Sequence, residues 1–345
     1  MKLFTAMFGS FESGIIFAIM ALGVYLSFRI LDFPDLTVDG SFVTGAAISS
    51  IMIVNGTNPF TATIFALIAG FVAGCLTGII HTIGKINALL SGILMMIALY
   101  SVNLRIMGRS NIPLLNTDTA FTSVSGFFQK TGIDSFLNKL LTSIGLGDSL
   151  PETWGILIFM VVVTFLIKWF TDWFLNTEIG LAVRATGDNK RMIRSLSANT
   201  NLLIILGLGI SNALVAFSGA LIAQQGGFAD VGMGIGMIII GLASVIIGEA
   251  LFGTKTIART TLAVIGGSII YRIVVTLALR IEFLNPGDMK MITAAIVIIA
   301  LTAPKIVEGS KERKRKSRRK TERMNVVPIP ADRKGDNHAA LKSNS

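Results

Sequence analysis

Apolar side chains dominate this chain in unbroken runs of about 20 residues, separated by short polar breaks that carry glycine, proline or charge. At about 1.5 Å of rise per residue, a helical run of that length crosses a hydrocarbon core roughly 30 Å thick. Such runs occupy 11–30, the stretch after Asp39 as far as Val54, 60–83, 86–107, 154–175, 202–223, 232–251, 257–279 and 289–303. A soluble domain would need a very large core to bury them, and a membrane barrel would show shorter, alternating segments. The pattern predicts an all-α polytopic membrane protein with eight or nine hydrophobic segments.

The breaks are as informative as the runs. Between the first two, Pro34 disfavours helix at Phe33, and Asp32, Asp35 and Asp39 are costly facing lipid. The chain there either loops at an interface or breaks beside a polar cavity, as a broken or re-entrant span does. Gly232, Gly234, Gly236 and Gly241 weaken regular helix at the start of the seventh run. A span, a Gly/Asp break and a Gly/Ser-rich span occur at 11–54 and again at 202–251, the pattern of a pseudo-repeat. Transporters built from repeats use such breaks for polar contacts near a central pathway. Gly70, Gly74 and Gly78 put a small surface on one helix side, suited to close packing. The region 108–153 is long for a connection and calls for short surface or interfacial helices. The insertion at 178–195 is polar, with enough apolar residues for one or two short amphipathic helices.

Composition agrees: 52% of residues are hydrophobic and 14% charged, against about 45–50% and about 25% in soluble domains. The net charge of +10 is concentrated at 311–320, directly after the last run. Such a cluster holds its end on the cytoplasmic side and attracts anionic lipid headgroups, so membrane lipid and not nucleic acid is the expected partner. The expected division is a membrane domain at 1–305 and a basic, then polar, disordered cytoplasmic tail at 306–345. Counting back from the tail puts 255–259 and 178–195 inside, and 281–288, 224–230 and 108–153 outside. Cys75 is the single cysteine, so no intrachain disulfide framework exists, and no cleavable leader is evident. There is no phosphate-binding Gly-Lys loop, no His-Glu-x-x-His pair and no cysteine array. His81 reads as a junction residue and His338 belongs to the tail. The chain is expected to be non-catalytic and to hold no cofactor or metal itself.

Seven polar residues in or beside the runs are candidates for a translocation pathway: Asp35, Thr37, Asp39, Ser91, Asn103, Asn212 and Arg272. Thr37 or Asp39 can instead cap the exposed amides that open the second span. Ser91, Asn103 and Asn212 can equally bond from helix to helix. Arg272 lies about 10 Å from the outer end of its run. It can snorkel to headgroups, pair within the bundle or line an aqueous path.

Five stretches in order, Ala21–Arg29, Asp35–Phe42, Leu90–Gly108, Gly180–Asn189 and Ile246–Gly253, carry a family likeness across 11–305. The chain resembles the permease subunit of a bacterial ABC importer, in the branched-chain-amino-acid/ribose permease superfamily. Within it, the chain is most similar to the tryptophan/tyrosine-like amino-acid uptake branch. That resemblance implies a plasma-membrane permease, working as a pair of chains, that moves a small solute inward by alternating access. It implies a cytoplasmic ATPase dimer that carries ATP-Mg, and an extracellular or periplasmic solute-binding protein. It also implies that 178–195 couples to the ATPase, with Glu178, Gly180, Arg184, Gly187 and Asn189 as the coupling residues. A stand-alone channel or ion-coupled carrier is the competing class. A scaffold that recruits lipid or protein through its basic tail is another.

Overall fold

The computed structural model describes residues 2–131 and 153–278, with isolated positions between and beyond them. The chain divides into two compact units, Met1–Leu301 and Thr302–Ser345, and nearly all described residues fall in the first. The final run at 289–303, the turn at 281–288, the tail at 306–345 and part of 108–153 lie wholly or mostly outside the described residues.

Helix α1 (Lys2–Tyr25) continues into a π-helical turn (Leu26–Ile30), and α2 (Thr37–Val54), α3 (Pro59–Thr82) and α4 (Ala88–Met107) follow. A short strand β1 (Asn111–Pro113) and helix α5 (Ala120–Thr131) precede α6 (Gly155–Asn176). Two short helices, α7 (Glu178–Asp188) and α8 (Lys190–Ser195), lead to α9 (Thr200–Gly226). Strand β2 (Phe228–Asp230), α10 (Met237–Phe252) and α11 (Ile257–Ala278) complete the series. Seven of these helices, among the described residues, are long and apolar enough to cross a membrane, and α10 is a shorter apolar helix of 16 residues.

Asparagine starts several of the helices. Asn58, Asn87 and Asn199 each accept the amide two residues on, satisfying a donor that would otherwise open the helix unpaired. Gly108 and Gly227 close α4 and α9 in the left-handed region, at φ 65° and 73°, where only glycine sits without strain.

The packing centre is α9, which contacts α1, α2 and α3 and is buried on nearly every side. Small residues make this possible. A Cβ on Gly70 or Gly74 of α3 would overlap backbone carbonyls of Asn212 or Leu208 in α9, and one on Gly45 of α2 would overlap that of Ala216. The outer faces carry large apolar residues instead: Ile64, Phe65, Ile68 and Val72 on α3, and Phe165, Leu166 and Trp169 on α6 are exposed. In a bilayer these face lipid tails, so exposure there costs nothing.

Two findings depart from the sequence pattern. The seventh run does not begin as helix at 232, because residues 231–236 form turns and Gly236 takes φ 88°. Strands β1 and β2 pair antiparallel, Ile112 opposite Ala229, and three-residue strands are too short to show alternation. In the connector Asp32 is exposed while Leu31, Phe33 and Asp35 are buried, so the first break starts at the surface and runs back into protein. The pairs α1–α2 and α9–α10 run in opposite senses, since α1 lies antiparallel to α9: Gly23 meets Ser211, and Ile16 meets Ser218.

Substituting Gly74→Val should force α3 and α9 apart and cost about 1–3 kcal/mol. Gly9→Ala, which meets no atom within 4 Å, should be neutral or slightly stabilising. Thermal unfolding of the detergent-solubilised protein separates the two.

Candidate functional site

The polar residues of the first break converge on α9. Asp35 accepts the Thr37 amide at 2.9 Å and the Asn212 side-chain amide at 2.6 Å. The hydroxyls of Thr37 and Thr77 lie 2.8 Å apart. Thr77 Oγ1 also lies 3.1 Å from the Ala73 carbonyl, so the two hydroxyls share a chain of hydrogen bonds in which either can donate to the other. Asp35, Thr37, Thr77 and Asn212 have no exposed surface. This is a sealed knot joining α2, α3 and α9. It supplies the amide cap expected before α2, but from Asp35 and not from Thr37 or Asp39.

Asp39 acts on a different helix. Its two carboxylate oxygens accept the amides of Gly236 and Ile238 at 2.9 and 2.8 Å, capping α10 from α2. In Asp39's own helix the Thr37 amide is taken by Asp35; at the start of α10 the preceding turn serves the Met237 amide through the Gly234 carbonyl, and Asp39 takes the amides on either side of it. Ile238 clusters with Phe17, the twelfth residue of the 25-residue span Ala6–Ile30. Helix α10 thus starts near mid-depth, and 231–236 descends to meet it.

A cavity of about 390 Å³ opens where these parts meet, lined by Asp39, Val43, Met96, Tyr100, Asn103 and Ile235 among others. The walls are mainly apolar. Asn103 donates to the Gly40 carbonyl at 3.1 Å, which fixes its amide orientation and leaves its oxygen without a hydrogen-bond partner among the described residues. Mostly apolar walls with a few polar groups suit a small organic solute.

The remaining candidates stand apart. Ser91 turns its hydroxyl back to Asn87 and Ala88 within α4. The Arg272 guanidinium lies 4.0 Å from the centre of the Phe17 ring, held by a cation–π contact inside the bundle and not at a helix end.

At the other end, α7 and α8 sit where α6 leaves the bundle and α9 enters it. Gly180 packs so tightly on the Phe174 carbonyl, and Gly187 on that of Ile30, that neither has space for a Cβ. Asn189 caps α8 by accepting the amides of Arg191 and Met192 at 3.1 Å. Glu178 is exposed in the first turn of α7. Arg184 lines a polar cavity of about 850 Å³ with Arg29, Asp188, Glu249 and Lys255. Ile179, Leu181, Met192 and Leu196 are exposed on this otherwise polar end.

Several of these relations lay outside sequence reasoning. Thr77, Tyr100 and the ion pair of Arg29 with Glu249 were not among the candidates. Arg29 and Glu249 each lie in a stretch that carries the family likeness, but their pairing spans 220 residues. No group of three or more His, Cys, Asp or Glu residues could hold a metal among the described residues.

A multi-span bundle with an open cavity near mid-depth, broken helices and a short helical connector at one end is built as the membrane part of a transporter. The family model described as branched-chain amino acid transport system / permease component matches residues 6–302, and the chain belongs to this family. It is the non-catalytic permease component of a bacterial ABC-type importer for a small solute. It is a multi-pass membrane protein, and permeases of this kind work with an ABC ATPase and a solute-binding protein. The chain is 43% identical to a tyrosine transport system permease protein of Clostridioides difficile (strain R20291), over 84% of this chain and 88% of the relative. It is 34% identical to an uncharacterized protein of Rickettsia prowazekii (strain Madrid E), over 85% and 96%. No solved structure matches.

Replacing Asn212 with Leu should leave the buried Asp35 carboxylate short of a donor and cost about 1–3 kcal/mol. Paired replacement, Asp35→Asn with Asn212→Leu, should cost less than the two single changes added together. Unfolding curves for the three variants check this.

Proposed function

We propose that this chain forms the path by which an amino acid with a bulky apolar or aromatic side chain is imported, tyrosine being the first candidate. The observation that carries the reading is the cavity at the α2–α10 junction, where apolar walls and Tyr100 face a few polar groups near mid-depth. The name of the Clostridioides difficile relative points to the same chemistry. Asp39, Asn103 and the neighbouring turn 231–236 are the pathway residues best supported. Asp35, Thr37 and Asn212 hold the broken span in place behind the cavity. Arg272 steadies α11 against α1, and Ser91 the start of α4. An ion-coupled carrier needs a carboxylate available to its ion, whereas Asp35 and Asp39 are both engaged with amides.

The α7–α8 insertion is the docking element for the ATPase, which carries the ATP-Mg. Glu178, Arg184 and the exposed Ile179 and Leu181 offer the surface, Gly180 and Gly187 set the element tightly on the bundle, and Asn189 shapes its corner. ATP binding moves this element and exchanges the side on which the cavity opens. A ligand that binds the two states unequally is thereby carried one way. Arg184, Lys255 and the basic residues of α8 share one end, which supports placing that end in the cytoplasm. On this reading the basic tail is cytoplasmic, near anionic lipid, and the β1–β2 end receives the binding protein. Ile97, Tyr100 and Ile235 line the cavity and are exposed on its open side, and a second permease chain there completes its wall.

Liposomes holding the permease, its ATPase and its binding protein should take up labelled tyrosine only with ATP. Arg184→Glu should lower that uptake at least ten-fold and weaken ATPase co-purification, with membrane insertion unchanged. Unchanged uptake together with unchanged ATPase association would refute the coupling assignment. Uptake of ribose but not of tyrosine or leucine would refute the solute class.

A further inference from the structure

Helix α10 is fastened at both ends to other elements, and each fastening has a functional neighbour. At its start, Asp39 accepts the Gly236 and Ile238 amides beside the cavity. At its far end, Glu249 receives Arg29 as a fork. The Arg29 Nε lies 2.9 and 3.0 Å from the two carboxylate oxygens, and Nη2 also bonds to Oε2. Helix α10 is regular over 16 residues, and its fastened positions Ile238 and Glu249 lie about 16 Å apart along the axis.

Arg29 lies in the π-helical turn Leu26–Ile30. Such turns are rare and concentrate at functional sites. The next residue, Ile30, presents the carbonyl on which Gly187 of α7 is seated without space for a Cβ. Contacts therefore run unbroken from α7, through the π turn and the Arg29–Glu249 pair, along α10, to Asp39 and the cavity.

Stability is not the whole account of the pair. The Arg29 side chain is 56% exposed and that of Glu249 11%, so solvent screens one partner and the contribution is modest. Glu249 stands in the last turn of α10, where the helix dipole disfavours a carboxylate. A planar fork does fix distance and angle between two elements, which a single contact would not.

We propose that Arg29 and Glu249 are positioning residues that clasp α10 to the coupling element, so that a displacement of α7 reaches the cavity through α10 as a rod. The proposal rests on the assignment of α7 as the ATPase-docking helix. A π turn holds an extra residue relative to α-helix, so its rewinding rotates Arg29 about the α1 axis and carries Glu249 with it. That supplies the two-state element a coupling path needs.

The test uses the full transporter in liposomes and reads tyrosine imported per ATP hydrolysed. Arg29→Ala and Glu249→Ala should each lower this ratio at least five-fold, with normal co-purification of the ATPase. The double variant should be no worse than either single one, and the exchange Arg29→Glu with Glu249→Arg should restore at least half of the ratio. Arg29→Lys keeps the charge without the fork and should lower the ratio about two-fold, which covers the case in which the alanine variants fold poorly. A wild-type ratio in the single variants, or losses that multiply in the double one, overturns the clasp. Intact ATPase co-purification and uptake in Arg184→Glu instead overturns the docking assignment, whatever the clasp variants do.

Discussion

In hydrocarbon an unpaired backbone amide has no water to turn to, and this constraint governs how a helix can begin inside a membrane protein. Helices α2 and α10 both begin inside this bundle, and each relies on a carboxylate for its first amides: Asp35 for α2 and Asp39 for α10. Those carboxylates need donors of their own in an apolar surrounding. Asp35 has Asn212 on the central helix, and Asp39 has two amides at a positive helix end. The central packing of α9 and the mid-depth position of the cavity both depend on these arrangements.

The bundle is close-packed where it must be rigid and open where it must change. Around α9, glycines of α2 and α3 bring backbones into direct contact, so a displacement on one side is felt on the other. Around the cavity the chain is irregular: glycine turns at 231–236, and a polar acceptor on Asn103 without a partner. On the proposed reading, a solute that brings its own donor finds an acceptor there in a state that uncovers Asn103, which is fully buried in this one. Such a difference between states is what directional transport requires.

Much of the fold was legible because membrane helices announce themselves by length and apolarity. The runs at 60–83 and 86–107 correspond closely to α3 and α4. The boundaries blurred where glycine or π-helical geometry replaced regular helix, as at 232–236 and Leu26–Ile30. Of the candidate pathway residues, Asp35, Thr37 and Asn212 come together in a sealed knot, Asp39 and Asn103 reach the cavity, and Ser91 and Arg272 stand elsewhere. Nothing in local spacing distinguishes these fates, because each depends on which helix lies opposite.

The hydrophobic bundle, the places where it breaks and the polar insertion at 178–195 follow from the order of residues alone. Transfer free energy and helix periodicity act locally, and both can be read along a chain. The partner of Asp39, the pairing of Arg29 with Glu249 and the existence of a cavity between α2, α4 and 231–235 were decided only by tertiary structure. They join residues as much as 220 positions apart, and hydrogen bonds and ion pairs act over a few ångströms of space without regard to distance along the chain.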